Sequence, residues 1–277
     1  MKSVSLPSGE RVPALGQGTW NMGDRASARA EELAALRLGL DHGLTLIDTA
    51  EMYGDGRSEK LVGEAIAGRR DQAFLVSKVL PGNATRRGTV GACEKSLQRL
   101  GTDRIDLYLL HWRGNVPFAE TLEALVKLQA DGKIRHYGVS NLDLADMQEL
   151  LPLNGGAGVA TNQLLYNLTR RGIEWDLLPW LRAKHIPVMA YSPLEQGRLA
   201  KHKGLAVFAK QHAMTPSQAA LAWLLAREDV IVIPKCGNAA RMKENLDALE
   251  IALGPAQMAE LDGIFPPPSA ARALEML

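Results

Sequence analysis

The sequence predicts an α/β fold, specifically a (β/α)8 barrel, on three observations. Short apolar runs recur along the 277 residues, beginning near Ala14, Thr45, Ala73, Arg104, Ile134, Val159, Ile186 and Val230. The first seven starts lie roughly 24 to 32 residues apart, the length of one strand plus one crossover helix. Several runs are apolar almost throughout: Ile105–Leu110 is broken only by Asp106, and 230–234 reads VIVIP. Such continuity means burial on both faces, as in parallel sheets.

Each element can be justified in turn. Residues 2–13 alternate around Pro7–Ser8–Gly9, with Val4, Leu6 and then Val12 apolar, and predict a β-hairpin that plugs the bottom of the barrel. The first barrel strand runs into Gly16–Gln17–Gly18–Thr19–Trp20–Asn21. This lacks the third glycine of the GxGxxG turn that an open doubly wound sheet would prefer. Between strands four and five, Phe118, Leu122, Leu125 and Val126 share one helical face, predicting a helix over 118–130 that Gly132 ends. Thr215–Pro216–Ser217–Gln218 reads as a capping box with proline at the first helical position, opening the apolar helix Ala219–Ala226. Strands seven and eight start about 44 residues apart, so an additional loop or helix is expected around 195–210. The tail after Gly254 predicts a helix over 255–263 and then Pro266–Pro267–Pro268. Trp175, Trp180 and Trp223 fit helical faces and are expected in the core. No linker interrupts the rhythm, so residues 1–277 are expected to form one barrel domain.

Composition narrows the class of function. With 46% hydrophobic and 23% charged residues the chain is not disordered. Lys+Arg is 32 against 31 Asp+Glu, a net charge of +1, so no global field gathers nucleic acid or anionic membrane. The sequence shows no signal-peptide core and no long apolar run, and Cys93 and Cys236 have no CxxC spacing. A cytoplasmic protein without disulfides is expected. Outside His111, the histidines (His42, His136, His185, His202, His212) show no HxH or HExxH spacing, so no catalytic metal is expected. The balanced surface gives no sign of an obligate interface, and a monomer is expected.

Barrel enzymes place their chemistry at the C-terminal ends of the strands. Strand two delivers Asp48, with Tyr53 five residues later in the following loop; strand three delivers Lys78 and strand four His111. Lys78 can draw the Tyr53 phenol toward phenolate and lower its pKa, Asp48 can hold Lys78 charged, and His111 can hydrogen-bond a substrate oxygen. The set suits protonation of a carbonyl oxygen while a hydride from a cofactor attacks its carbon.

These residues stand in Gly43-Leu-Thr-Leu-Ile-Asp48-Thr-Ala-Glu-Met-Tyr53-Gly54, Leu75-Val-Ser-Lys78, Asp106-Leu-Tyr-Leu-Leu-His111-Trp112 and Ile233-Pro234-Lys235 followed by Arg241 and Glu244-Asn245. Together they resemble the aldo-keto reductases over essentially the whole chain. The resemblance implies an NADPH-dependent reductase of small aldehydes or ketones, α-ketoaldehydes such as methylglyoxal included. Tyr53 would be its general acid, Lys78 and Asp48 the tuning pair and His111 the orienting group. It further implies a cofactor groove: Ser140, Asn141 and Gln163 at the nicotinamide carboxamide, and Tyr191 stacked on its ring. Ser192, Leu194 and Gln196 would lie along the pyrophosphate, Lys235 and Arg241 at the 2′-phosphate, and Glu244 and Asn245 at the adenine. Gly18, Thr19, Trp20 and Ile233 would line the same groove. Two cations after strand eight suit a dianionic phosphate. Many relatives carry Ser or Thr where this chain has Cys236, a weak donor, so Cys236→Ser is expected to tighten NADPH binding.

Trp20 and Trp112 are the candidate apolar walls around the carbonyl, and the short tail suggests an open site. Two other readings stand beside this one. In a barrel lyase Lys78 would form a Schiff base with a carbonyl substrate. In a binding module the same fold would hold nucleotide without turnover.

Overall fold

The computed structural model describes residues 2–277. The chain opens with an antiparallel hairpin, β1 (Ser3–Ser5) and β2 (Arg11–Pro13), with Val4 opposite Val12 and both buried. Eight parallel strands follow in chain order: β3 (Gln17–Gly18), β4 (Leu46–Asp48), β5 (Phe74–Val79), β6 (Ile105–Leu110), β7 (Ile134–Ser140), β8 (Val159–Leu165), β9 (Val188–Tyr191) and β10 (Val230–Ile233). Every residue of β5, β6, β8 and β10 is buried, as expected of strands covered on both faces.

The seam between β10 and β3 is short but made by backbone. Parallel bridges join Leu15 to Val232 and Gly18 to Lys235. The Val232 N–H donates to the Ala14 carbonyl at 2.8 Å and the Gly16 N–H to the Val232 carbonyl at 2.8 Å. These bonds bring the eighth strand back to the first and complete the (β/α)8 barrel. Gly18 is needed here for close approach, because a Cβ at this position would lie 2.9 Å from the Ile233 carbonyl oxygen.

Helices α1 (Arg29–Asp41), α2 (Arg57–Ala65), α3 (Arg86–Leu100), α4 (Phe118–Ala130), α5 (Leu144–Leu150), α6 (Leu177–Ala183), α7 (Lys203–Gln211), α8 (Pro216–Leu225) and α9 (Ala239–Asp247) lie between and after the strands, and α10 (Pro255–Ile264) leads into the tail. The additional element expected between strands seven and eight is α7 with the two 3-10 turns before it. The capping box of α8 forms as read: the Gln218 N–H donates to Thr215 Oγ1 at 3.1 Å, and the Thr215 N–H donates to Gln218 Oε1 at 2.9 Å. In α4, Phe118, Leu122 and Leu125 are buried, whereas Val126 sits at the edge of the stripe and is exposed. Gly132, at φ 73°, ends that helix. Of the three tryptophans expected in the core, Trp223 is fully buried and Trp180 partly so, but Trp175 is exposed. It lies just before α6, next to a 3-10 turn rather than on a helical face.

The hairpin lies at the end of the barrel where the strands begin. Its Glu10 accepts from Arg135 at 2.8 Å and contacts His136 at 2.7 Å, both near the start of β7, and Lys2 donates to the Leu225 carbonyl at the end of α8. This leaves the opposite end, where the strands finish, open to the cleft. Gly18→Ala is expected to destabilise the protein by about 1–3 kcal/mol through overpacking at the seam. Urea denaturation would measure it, and an unchanged midpoint would show that the seam gives way without cost.

Candidate active site

Strand ends bring four side chains to the open end of the barrel. Asp48 is the last residue of β4, Lys78 the penultimate residue of β5, and His111 directly follows β6, its N–H bonded to the Val79 carbonyl at 3.0 Å. Tyr53 arrives from the loop after β4. There a 3-10 turn (Tyr53–Gly56) carries Gly54, Asp55 and Gly56 through positive φ, turning the chain sharply beneath the phenol. Glu51 ties that loop to the end of β5, accepting from the Leu80 N–H at 2.7 Å and Asn83 Nδ2 at 3.0 Å.

Lys78 is the hub. Its side chain is wholly buried and its Nζ lies 2.8 Å from Asp48 Oδ1 and 2.9 Å from Oδ2. It also donates to the Thr49 carbonyl at 2.8 Å and to the Tyr53 hydroxyl at 3.1 Å. Gln163, from β8 across the barrel, donates to Asp48 Oδ1 at 2.7 Å. The His111 ring meets Tyr53 edge-on at 5.9 Å between centroids and Trp112 at 4.8 Å.

The protonation states follow from burial and these partners. Burial works against the Lys78 charge, but the Asp48 carboxylate and the hydrogen bonds outweigh it and raise Lys78 above its ordinary value. Lys78 is therefore an ammonium. For Tyr53 the sequence expectation is overturned: burial pushes the phenol up, Lys78 offsets this only in part, and Asp48 adds to the rise. Tyr53 is a neutral phenol. His111 is depressed to about 2, first by burial and then by the Lys78 charge, so its imidazole is neutral at physiological pH.

The residues expected along the cofactor divide into two groups. Ser140, Asn141, Gln163 and Tyr191 form one chain of hydrogen bonds. Tyr191 donates to Asn141 Oδ1 at 2.9 Å, Asn141 Nδ2 reaches Ser140 Oγ and the His111 carbonyl, each at 3.1 Å, and Ser140 Oγ donates to the Gln163 carbonyl at 2.9 Å. Ser192, Leu194 and Gln196 follow β9 in a tight loop in which Ser192, Glu195 and Gln196 all adopt positive φ. Lys235 and Arg241 are exposed after β10, and among the described residues neither has an acidic partner at ion-pair distance. Glu244 accepts from Thr215 Oγ1 at 2.6 Å, and Asn245 is buried.

Other expected contacts turn inward. Thr19 is fully buried, its hydroxyl donating to the Asp48 carbonyl at 2.9 Å and accepting from Ser58 at 2.7 Å. Gly18 and Ile233 are buried in the barrel seam. Cys236 is buried and donates to the Asn238 carbonyl at 3.1 Å, and burial raises its pKa. A hydroxyl there would have the same internal acceptor within reach, which argues against the gain expected of Cys236→Ser. Trp20 is exposed and Trp112 half-buried.

With this geometry in place, the comparison with known proteins is direct. Residues 14–265 match the Aldo/keto reductase family. The chain belongs to this family. It is 52% identical over 281 residues to a methylglyoxal reductase of Escherichia coli (strain K12), covering 100% of this chain and 99% of that protein. It is 33% identical over 265 residues to a glyoxal reductase of Bacillus subtilis (strain 168), covering 95% and 92%. A crystal structure of an aldo/keto reductase from Klebsiella pneumoniae, in complex with NADP and acetate, matches it with a TM-score of 0.97 at 49% identity, covering 100% of this chain and 99% of that one.

Sequence reasoning missed several residues that shape this aldo/keto reductase site: Thr49, whose carbonyl accepts a hydrogen bond from Lys78, Glu51, which ties the Tyr53 loop, and Asn167, Arg170 and Glu195, which fix the loop after β9. A backbone carbonyl leaves no trace in residue type, and the loop charges look like ordinary surface. The depressed His111 yields a prediction with a definite sign. Unfolded His111 takes up a proton below about pH 6.5 while the folded residue does not, so stability falls as the pH drops. His111→Gln is expected to reduce that slope by up to about 1.4 kcal/mol per pH unit between about pH 6 and pH 4. Urea unfolding across that range measures it, and parallel slopes for the two proteins would contradict a buried neutral His111.

Proposed function

We propose that this aldo/keto reductase is an NADPH-dependent enzyme reducing small aldehydes and α-ketoaldehydes, methylglyoxal among them, to alcohols. The observation that carries the reading is the buried Lys78 ammonium held between the Asp48 carboxylate and the Tyr53 hydroxyl. The substrate class is supported by the E. coli and B. subtilis relatives, whose names are methylglyoxal and glyoxal reductase. The cofactor is supported by the K. pneumoniae enzyme, which holds NADP.

This chain's own residues fit such a cofactor. Lys235 and Arg241 are exposed cations without acidic partners among the described residues, as a dianionic 2′-phosphate requires. Tyr191, half-buried, offers an aromatic face beside Asn141 and Ser140, whose amide and hydroxyl suit a carboxamide. When bound, the dinucleotide supplies the hydride.

The protein's part is proton delivery and orientation. Tyr53, neutral at working pH, gives its hydroxyl proton to the carbonyl oxygen as that oxygen gains charge. Negative charge then develops on the phenol oxygen, where Lys78 at 3.1 Å stabilises it. Asp48 keeps Lys78 protonated and in place. His111, uncharged, hydrogen-bonds the substrate oxygen without competing as an acid, and Trp20 and Trp112 flank the carbonyl. The lyase alternative finds no support, because Lys78 is charged and directs its donors at three acceptors, leaving no lone pair for an imine. The same proposal places the enzyme in the cytoplasm as a monomer, with two buried free thiols supporting a reducing compartment.

The test is loss of NADPH absorbance with a panel of aldehydes and ketones that includes methylglyoxal. Tyr53→Phe is expected to lower kcat by about 10²- to 10⁴-fold. Full activity in that variant, or no wild-type turnover on any carbonyl, would overturn the reading. Cys236→Ser is expected to leave the NADPH dissociation constant within about twofold, because it exchanges one internal donor for another. Titration of intrinsic fluorescence with NADPH checks this.

A further inference from the structure

The first turn of α2 grips, from outside the barrel, the two strands that carry Asp48 and Lys78. Ser58 and Glu59 follow the positive-φ turn that bears Tyr53, and both are fully buried. Thr49 Oγ1 donates to Ser58 Oγ at 3.2 Å, Ser58 Oγ to Thr19 Oγ1 at 2.7 Å, and Thr19 Oγ1 to the Asp48 carbonyl at 2.9 Å. Each hydroxyl gives its single proton to the next acceptor. The chain closes on the peptide that joins Asp48 to Thr49, and the Thr49 carbonyl is the one that accepts from Lys78 Nζ at 2.8 Å.

Glu59 holds the other strand. Its Oε1 accepts from Ser77 Oγ at 2.6 Å, and its Oε2 accepts from Arg99 Nε on α3. Successive strand residues point to opposite faces, so Ser77 bonds to the helix layer while Lys78, next in β5, enters the barrel. Arg99 braces the Tyr53 turn as well. Its side chain lies where a Cβ on Gly56 would sit, 2.3 Å from Arg99 Cδ, and Gly56 stands at φ 82°.

A buried carboxylate is a costly way to attach a helix where apolar side chains would serve. Farther along α2 the buried residues are Leu61, Val62 and Ala65. The polar attachment is confined to the two buried residues nearest Tyr53, and it is directed at Thr49 and Ser77, the immediate neighbours of Asp48 and Lys78. Apolar contacts tolerate sliding, whereas hydrogen bonds hold both a distance and a direction.

We propose that Ser58 and Glu59 are positioning residues: they fix the Thr49 carbonyl and Lys78 relative to the Tyr53 turn, so that the ammonium stays within hydrogen-bond reach of the phenol oxygen as the proton leaves it. This rests on the reading that Tyr53 is the general acid.

Replacing the serines loosens each side of this grip without stranding the Glu59 charge, which keeps Arg99. Single-turnover reduction of methylglyoxal at saturating NADPH, in H2O and in D2O, is compared for wild type, Ser58→Ala, Ser77→Ala, Tyr53→Phe and Leu181→Ala. Leu181, fully buried on α6, is the control for lost stability alone. Ser58→Ala and Ser77→Ala are each expected to slow the step about tenfold, since a small misplacement of reacting groups is costly. Their KM for methylglyoxal and their NADPH dissociation constant should stay within about twofold, because the lost interaction acts in the transition state. The solvent isotope effect on the step should rise in both, as proton transfer becomes more limiting, and should match wild type in Leu181→Ala. If both serine variants turn over as fast as Leu181→Ala, or if their loss lies in KM with the single-turnover rate intact, the positioning role is wrong while the Tyr53 reading stands. If Tyr53→Phe keeps full activity, that reading falls and the proposal with it. Should Ser77→Ala fail to fold, Ser58→Ala decides alone, and a wild-type rate there would overturn the proposal.

Discussion

A wholly buried ammonium is the constraint around which the upper half of this barrel is arranged. Placing a lysine inside a packed strand carries a penalty of several kcal/mol after relaxation, and only a well-formed set of partners offsets it. Lys78 has such a set: the Asp48 carboxylate, the Thr49 carbonyl and the Tyr53 hydroxyl. These come from β4 and the loop that follows it, so the charge fixes two neighbouring strands and the entry of the Tyr53 loop together. Gln163 extends the constraint across the barrel by donating to Asp48 from β8. Removing any one partner would leave a buried charge short of its bonds, so the fold and the site share one requirement.

The same charge sets the protonation of its neighbours in opposite senses. Lys78 pushes His111 further toward neutrality, in the direction burial already takes it. On Tyr53 it works against burial and does not prevail. The resting site thus holds one cation, one carboxylate, one neutral phenol and one neutral imidazole. The lysine's largest effect on the phenol is therefore deferred. In the proposed reaction the Lys78 contact is a charge-assisted hydrogen bond while the phenol is neutral and would become an ion pair in a low-dielectric environment once the proton leaves. An interaction that strengthens as the reaction proceeds is the kind that raises kcat.

Much of this was legible in sequence because it depends on local period and on strand ends. Apolar runs bounded by a single polar residue located Asp48, Lys78 and His111, since a polar side chain in a buried strand is tolerable only where it reaches the cleft or a partner. Thr215 to Gln218 was readable because a capping box is satisfied within four residues. What escaped depends on direction rather than position. Thr19 and Cys236 lie where the groove should be, but their side chains turn inward to backbone acceptors that residue type does not reveal. Trp175 lies between a 3-10 turn and α6, so a helical-face argument did not apply to it. The sign for Tyr53 failed because pairwise reasoning counted the lysine and left out desolvation. Arg170, Glu195 and Glu275 are far apart in the chain, and only the fold brings them into one cluster.

The near-zero net charge gains a different meaning from this arrangement. A balance of 32 cations and 31 acids says nothing about which charges are satisfied, and the two ends of the proposed cofactor groove differ sharply in that respect. Around β9 the charges are paired internally: Glu195 with Arg170 and Arg198, and Arg170 again with Glu275. After β10, Lys235 and Arg241 stand exposed without an acidic neighbour at ion-pair distance among the described residues. Paired charges order a loop before any ligand arrives, so that little conformational entropy is lost on binding. Unpaired cations keep their full attraction for an anion, at the expense of repelling one another until it comes. The groove therefore combines a prepared wall with an open electrostatic anchor, and a ligand anionic at one end and planar at the other is the kind that satisfies both.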